Sequence, residues 1–149
     1  MLTDQQRKNI VRIAREWAGT PYKGCSRMKG CGCDCLTFVS GVYQEAGLLP
    51  QDLPIPVVYS MNAGQHVETT EYIDGISTYF REIPESEVKV GDIVMYKLDK
   101  AFAHSALVEE WPKFVWHALV RHGVHGSHGT EEAILRNKPR RFFTVREGD

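Results

Sequence analysis

The hydrophobic period changes once along this chain, near Pro84, and that change limits the folds open to it. Before Pro84 apolar residues recur at helical spacing. After it they gather in short runs divided by turn residues. Thr3 is expected to cap a first helix, with Gln6 placed to complete a capping box. Ile10, Ile13, Ala14 and Trp17 form its apolar stripe, and Gly19 and Pro21 end it. A second helix is expected from about Cys35 to Ala46, apolar over a wide face through Leu36, Phe38, Val39, Val42, Tyr43 and Ala46. Asp34 is its N-cap and Gly47 its stop. Pro50, Pro54 and Pro56 mark an irregular connector. Residues 57–63 are ambiguous, and Thr70 to Phe80 reads as a third helix, with Gly75 counting against it. Strands are expected over Ile93 to Tyr96, Phe102 to Val108 and Phe114 to Val120, the last two joined by a turn from Glu109 to Lys113. Arg121 to Thr130 reads as a polar loop and Arg141 to Val145 as a final strand. Helices followed by a strand meander give an α+β fold, a helical face packed on an antiparallel sheet, in one domain over residues 1–149.

A chain of 149 residues buries a genuine core. Its formal net charge of -1 supplies no general pull toward nucleic acid or an anionic membrane surface. No stretch approaches the length of a membrane span, and the N-terminus lacks a basic-then-apolar secretory pattern. The expectation is synthesis in the cytoplasm without a signal peptide. All four cysteines fall between Cys25 and Cys35, too close together to staple distant parts of a fold.

A glycine-loosened loop, Gly30 to Cys33, runs straight into Asp34-Cys35 and the second helix. A sulfur in the first turn of a helix meets aligned backbone N–H groups, which favour its thiolate. Cys35 is therefore a candidate nucleophile, and such a thiol needs an imidazole. His104 and His117 sit inside strand-like segments that a hairpin brings side by side. One would serve as base and the other would hold its far nitrogen. Each also has a plain reading: a cysteine at a helix start is commonly a small buried hydrophobe, and His104 a satisfied core histidine. Tyr22 by default is a packing residue. Cys25, Cys31, Cys33 and Cys35 are possible zinc ligands, but the alternating spacing lacks the gap of a structural zinc knuckle. His122, His125 and His128 read as a solvated loop at the rim of a cleft. No metal or cofactor is expected.

The string Trp17 to Tyr22, Asp34-Cys35, Gly91 to Val94, His104 to Val108 and Val115 to Ala118, in that order, resembles the NlpC/P60 family of papain-like cysteine peptidases. Gly19 to Tyr22 and Lys29 to Cys35 are most similar to its phage-encoded branch, linked to tail assembly or cell-wall entry. The resemblance implies a minimal papain-like core, with Cys35 as nucleophile, His104 as general base and His117 orienting His104. Tyr22 would help shape the oxyanion site. The implied substrate is a peptidoglycan stem peptide, cut between the side-chain carboxyl of D-glutamate and diaminopimelate or lysine. The implied partners are the stem peptide and phage tail proteins, and the implied location is a virion acting on the cell wall. Two departures bear on specificity. Leu36-Thr37 stands where the family has Ser-Gly or Ser-Ala, and Lys23-Gly24-Cys25 where it has Trp-Gly-Gly. The competing functions are a structural tail component with vestigial catalysis, and a papain-like amidase or acyltransferase on another substrate. The basic run Lys23, Arg27, Lys29 is either a contact for an acidic stem peptide or a solvated face.

Overall fold

A computed structural model describes residues 1–53, 78–98 and 101–146. Helix α1 spans Asp4–Glu16 and opens with the expected capping box. Gln6 N–H donates to Thr3 Oγ1 at 3.0 Å and Thr3 N–H donates to Gln6 Oε1 at 2.8 Å. Helix α2 spans Cys35–Glu45 with Asp34 as N-cap. It stops in a left-handed turn at Gly47 (φ +76°). There Leu48 N–H reaches the Tyr43 carbonyl at 2.9 Å and Gly47 N–H reaches that of Gln44 at 3.0 Å, the paired closure of a Schellman motif. The strands are β1 (Arg27–Met28), β2 (Gly32–Cys33), β3 (Phe80–Ile83), β4 (Ile93–Leu98), β5 (Ala101–Glu110), β6 (Phe114–Leu119), β7 (Gly123–Ser127) and β8 (Arg140–Val145). β1 and β2 make a small hairpin, and the other six form one antiparallel sheet in the order β3-β8-β4-β5-β6-β7.

The α+β expectation holds, with both helices on one side of the sheet. Ile10, Ile13, Ala14 and Trp17 of the first stripe are all buried, against Phe38, Val39, Val42 and Tyr43 of α2. Met95, Leu107, Ala118 and Phe143 meet them from the sheet. Trp17 crosses Phe38 edge to face at 5.9 Å. Gly41 makes the close approach possible, because a Cβ there would lie 2.6 Å from the Trp17 ring. Residues of opposite parity, among them Val94, Tyr96, Ala106, Val108, Val115 and Phe142, form a second core on the far face with Leu135.

Three expectations about elements change. Arg121 to Thr130 contains strand β7, paired along β6, instead of a loop throughout. Its composition is polar and glycine-rich, and tertiary pairing overrides that weak strand propensity. Phe80 opens β3 and does not close a helix. Thr78 and Tyr79, just before it, are helical as expected, while residues 70–77 of the expected third helix, and residues 57–63, lie outside the described residues. The loop from Thr20 to Cys33 holds the β1–β2 hairpin.

A buried ion pair ties α1 to the sheet. Arg7 donates to Asp92 Oδ1 at 2.8 Å, and Asp92 also accepts from Thr144 Oγ1 at 2.7 Å and Lys89 N–H at 2.8 Å. Removing one partner of such a pair strands the other charge in the interior. Arg7→Leu is expected to cost about 3 kcal/mol, read as a lower urea midpoint with unchanged slope.

Candidate active site

Asp34 builds the first half of the site. Its Oδ1 accepts from Leu36 N–H at 3.0 Å and Thr37 N–H at 2.9 Å, and its Oδ2 accepts from Cys25 N–H at 2.9 Å. The carboxylate thereby starts α2 and anchors the preceding loop, leaving Cys35 in the first helical turn. Cys35 is half-buried, and its Sγ lies 3.5 Å from the Ala103 carbonyl. Ser105 Oγ donates to the Cys35 carbonyl at 3.0 Å. Cys35 thus meets β5 near its beginning, through its sulfur at Ala103 and its backbone carbonyl at Ser105, the two chain neighbours of His104, next to the register shift at Tyr96/Lys97.

The second half comes from β5 and β6. His104 Nε2 and His117 Nδ1 stand 2.8 Å apart, so the two candidate histidines share a face of the sheet. Register sets His104 across from Tyr96, with the two rings 6.2 Å apart. His117 is wholly buried, and its Nε2 lies 2.8 Å from Ser127 Oγ. Burial pushes both imidazoles below the ordinary histidine range, His104 to about 4 with a smaller push from His125. Desolvation disfavours the imidazolium, so at neutral pH both rings are uncharged acceptor–donor groups. The His117 ring is followed by those of His125 at 4.8 Å and, beyond it, His122 at 5.6 Å from His125.

Tyr22 is held near by backbone pairing. It bridges to Cys33, with Cys33 N–H on the Pro21 carbonyl at 3.0 Å and Lys23 N–H on that of Cys33 at 2.8 Å. Burial, and then the proximity of Cys35 and Asp34, raises its phenol, which stays protonated and able to donate. Cys33 differs from its neighbour two residues on. It is fully buried, and burial first, then Asp34 and Cys35, pushes its thiol up to about 12. Such a thiol is a poor nucleophile.

Sequence reasoning passed over Ser105 and Ser127. Ser105 follows a candidate histidine directly, which was an available signal. Ser127 lies in Arg121 to Thr130, a segment whose composition predicts a loop. Among the described residues no group of three or more histidine, cysteine or carboxylate side chains is arranged to hold a metal ion. Two charges of the basic run are engaged within the chain. Lys29 pairs with Glu16 at 2.5 Å and Glu45 at 3.2 Å, and Arg27 donates to the Leu53 carbonyl at 2.5 Å.

The buried neutral histidines have a consequence for stability. In the unfolded chain each titrates near 6.5, whereas the folded values lie lower. Between those values the unfolded state binds more protons, so stability is full above about pH 6.5 and is lost as pH falls toward about 4. His104 alone is expected to cost on the order of 2–3 kcal/mol by pH 4.5. The check is the urea midpoint against pH for wild type and His104→Gln, the variant showing a shallower acid loss.

No protein-family model matches the chain, and no curated protein matches it closely. Solved structures do. The NlpC/p60 domain of the peptidoglycan hydrolase SagA superposes over 91% of this chain and 96% of its own, with TM-score 0.57 and 18% identity. The peptidoglycan hydrolase RipB of Mycobacterium tuberculosis matches over 97% of this chain and 66% of its own, at TM-score 0.62 and 19% identity. RipD of the same organism, described as a non-catalytic NlpC/p60 domain protein adapted to peptidoglycan binding, matches over 97% and 98%, at 0.58 and 16%. Two helices on an antiparallel sheet, superposing at this level on all three, give the chain the fold of an NlpC/P60 domain.

Proposed function

We propose that the chain is a thiol-dependent peptidoglycan endopeptidase of the NlpC/P60 type. The observation that carries this reading is the order of the site. A cysteine in the first turn of α2 touches β5 beside His104, and His104 is bonded at 2.8 Å to His117. In this reading His104 Nδ1, the nitrogen not used by His117, takes the Cys35 proton. The sulfur attacks the amide carbonyl, and a carbon–sulfur bond forms. The oxyanion is held by the Cys35 N–H and the Tyr22 hydroxyl. As the tetrahedral centre collapses, the carbon–nitrogen bond breaks and His104 returns the proton to the departing amine. Water, deprotonated by the same ring, then cleaves the thioester and restores the thiol. Burial keeps the His104 imidazole neutral, so it is free to accept a proton as attack begins.

The bond we propose is that from the D-glutamate side chain to diaminopimelate or lysine in a stem peptide. The phage-like strings Gly19 to Tyr22 and Lys29 to Cys35 support delivery to the wall on a virion by tail proteins. The engagement of Lys29 and Arg27 within the chain weakens the idea that the basic run meets the substrate. The likeness to RipD makes a binding role without turnover the second reading. The contact of Cys35 Sγ with Ala103, next in the chain to His104, and the His104–His117 bond support the catalytic reading over it.

Digestion of purified peptidoglycan fragments with mass identification of products tests this. Cys35→Ala and His104→Ala are expected to lower turnover at least about 10³-fold. His117→Ala is expected to lower it less, by about 10–100-fold. Turnover unchanged in Cys35→Ala rejects the nucleophile, and stem-peptide binding without any cleavage by wild type selects the RipD-like role.

A further inference from the structure

A buried neutral imidazole has one proton for two ring nitrogens, and its partners decide where that proton sits. His117 is wholly buried and bonded at both nitrogens, to His104 Nε2 through Nδ1 and to Ser127 Oγ through Nε2, each at 2.8 Å. Ser127 is itself 8% exposed. It stands on β7 across from Val115, two residues beyond His125, which is across from His117. The three strands thus carry one hydrogen-bonded line, His104, His117, Ser127.

We infer that Ser127 is a positioning residue: by accepting the His117 Nε2 proton it selects the tautomer whose Nδ1 receives His104 Nε2–H, leaving His104 Nδ1 as the base. This rests on the catalytic reading of Cys35 and His104. The line of bonds has two directions. In one, His104 Nε2–H donates to His117 Nδ1, and His117 Nε2–H donates to Ser127. His104 Nδ1 then carries a lone pair and accepts the thiol proton. In the other, Ser127 donates to His117 Nε2, and His117 Nδ1–H donates to His104 Nε2. The single proton of His104 then sits on Nδ1, and the ring has no base to offer there. Only the first direction survives proton transfer without rearrangement. The imidazolium formed on His104 keeps its Nε2–H on the His117 lone pair, now as a charge-assisted bond. Losing the Ser127 hydroxyl strands a buried N–H at His117 Nε2 and favours moving its proton to Nδ1, the wrong end.

The titratable groups around this line are His125 and His122 from β7 and its preceding turn, and Tyr96 from β4. His125 donates through Nδ1 to the Gly123 carbonyl at 3.1 Å. The test is therefore made at pH 8, where free histidines are neutral. Long-range proton–nitrogen correlation spectra of histidine-labelled protein read both tautomers without substrate. Wild type is expected to show His104 and His117 protonated on Nε2. Ser127→Ala is expected to move His117 toward Nδ1–H and to slow both iodoacetamide alkylation of Cys35 and kcat by about tenfold or more, with KM unchanged. Ser127→Thr, which keeps the hydroxyl, is expected to restore all three. Wild-type His117 protonated on Nδ1 overturns the inference before any variant is made. So does Ser127→Ala with an unmoved tautomer, or with a moved tautomer and unchanged alkylation. Failure of the catalytic reading looks different, since Cys35→Ala would then leave turnover intact, or wild type would show none, whatever the spectra show.

Discussion

Three backbone N–H groups converge on the Asp34 carboxylate, those of Cys25, Leu36 and Thr37, and the placement of Cys35 follows from that convergence. The first turn of a helix has donors with no partner inside the helix. Asp34 takes two of them and uses its other oxygen to draw in the loop from the opposite side. The residue after the cap has little freedom left. Ser105 then bonds the Cys35 carbonyl, so helix and sheet hold the same residue from two directions. The neighbouring Cys33 sits in the core, while Cys35 stays half-buried. Two cysteines two residues apart thus differ sharply in exposure.

The histidine pair depends on a different constraint. His104 and His117 lie in the dry interior of a six-stranded sheet, where a charge is costly and an unpaired ring nitrogen nearly as much. Their mutual bond, and that of His117 to Ser127, meet this demand without forming an ion. The price is acid sensitivity. The gain is a ring whose orientation is fixed by its partners before any ligand arrives. The edge that carries Ser127 is itself protected. Gly19 N–H and the Thr20 carbonyl pair with Val124, so the loop leaving α1 closes the β7 edge and leads on to Tyr22.

Much of the fold was legible because local rules and tertiary packing agree here. The capping box at Thr3, the stripe through Ile10, Ile13, Ala14 and Trp17, and the stop at Gly47 each have a mechanism that acts within one or two turns. The runs that became β4, β5, β6 and β8 are rich in β-branched and aromatic residues, and their boundaries moved by only a residue or two. β7 escaped because Gly123-Val124-His125-Gly126-Ser127 has little strand propensity of its own. It pairs because β6 offers an open edge and because Gly126 has no Cβ to strike Phe114, which would lie 2.1 Å away.

The chain by itself determined which residue types stand where: a cap and a cysteine at the head of an apolar helix, and two histidines in successive strands. Those are consequences of order and spacing along one dimension. Tertiary structure alone decided that the histidines touch, that both are neutral, that Cys33 is sealed away, and that a serine from a segment with no strand signal completes the line behind His117. Strand register and burial set those outcomes. Both arise from contacts between segments far apart in sequence, where no local period carries the information.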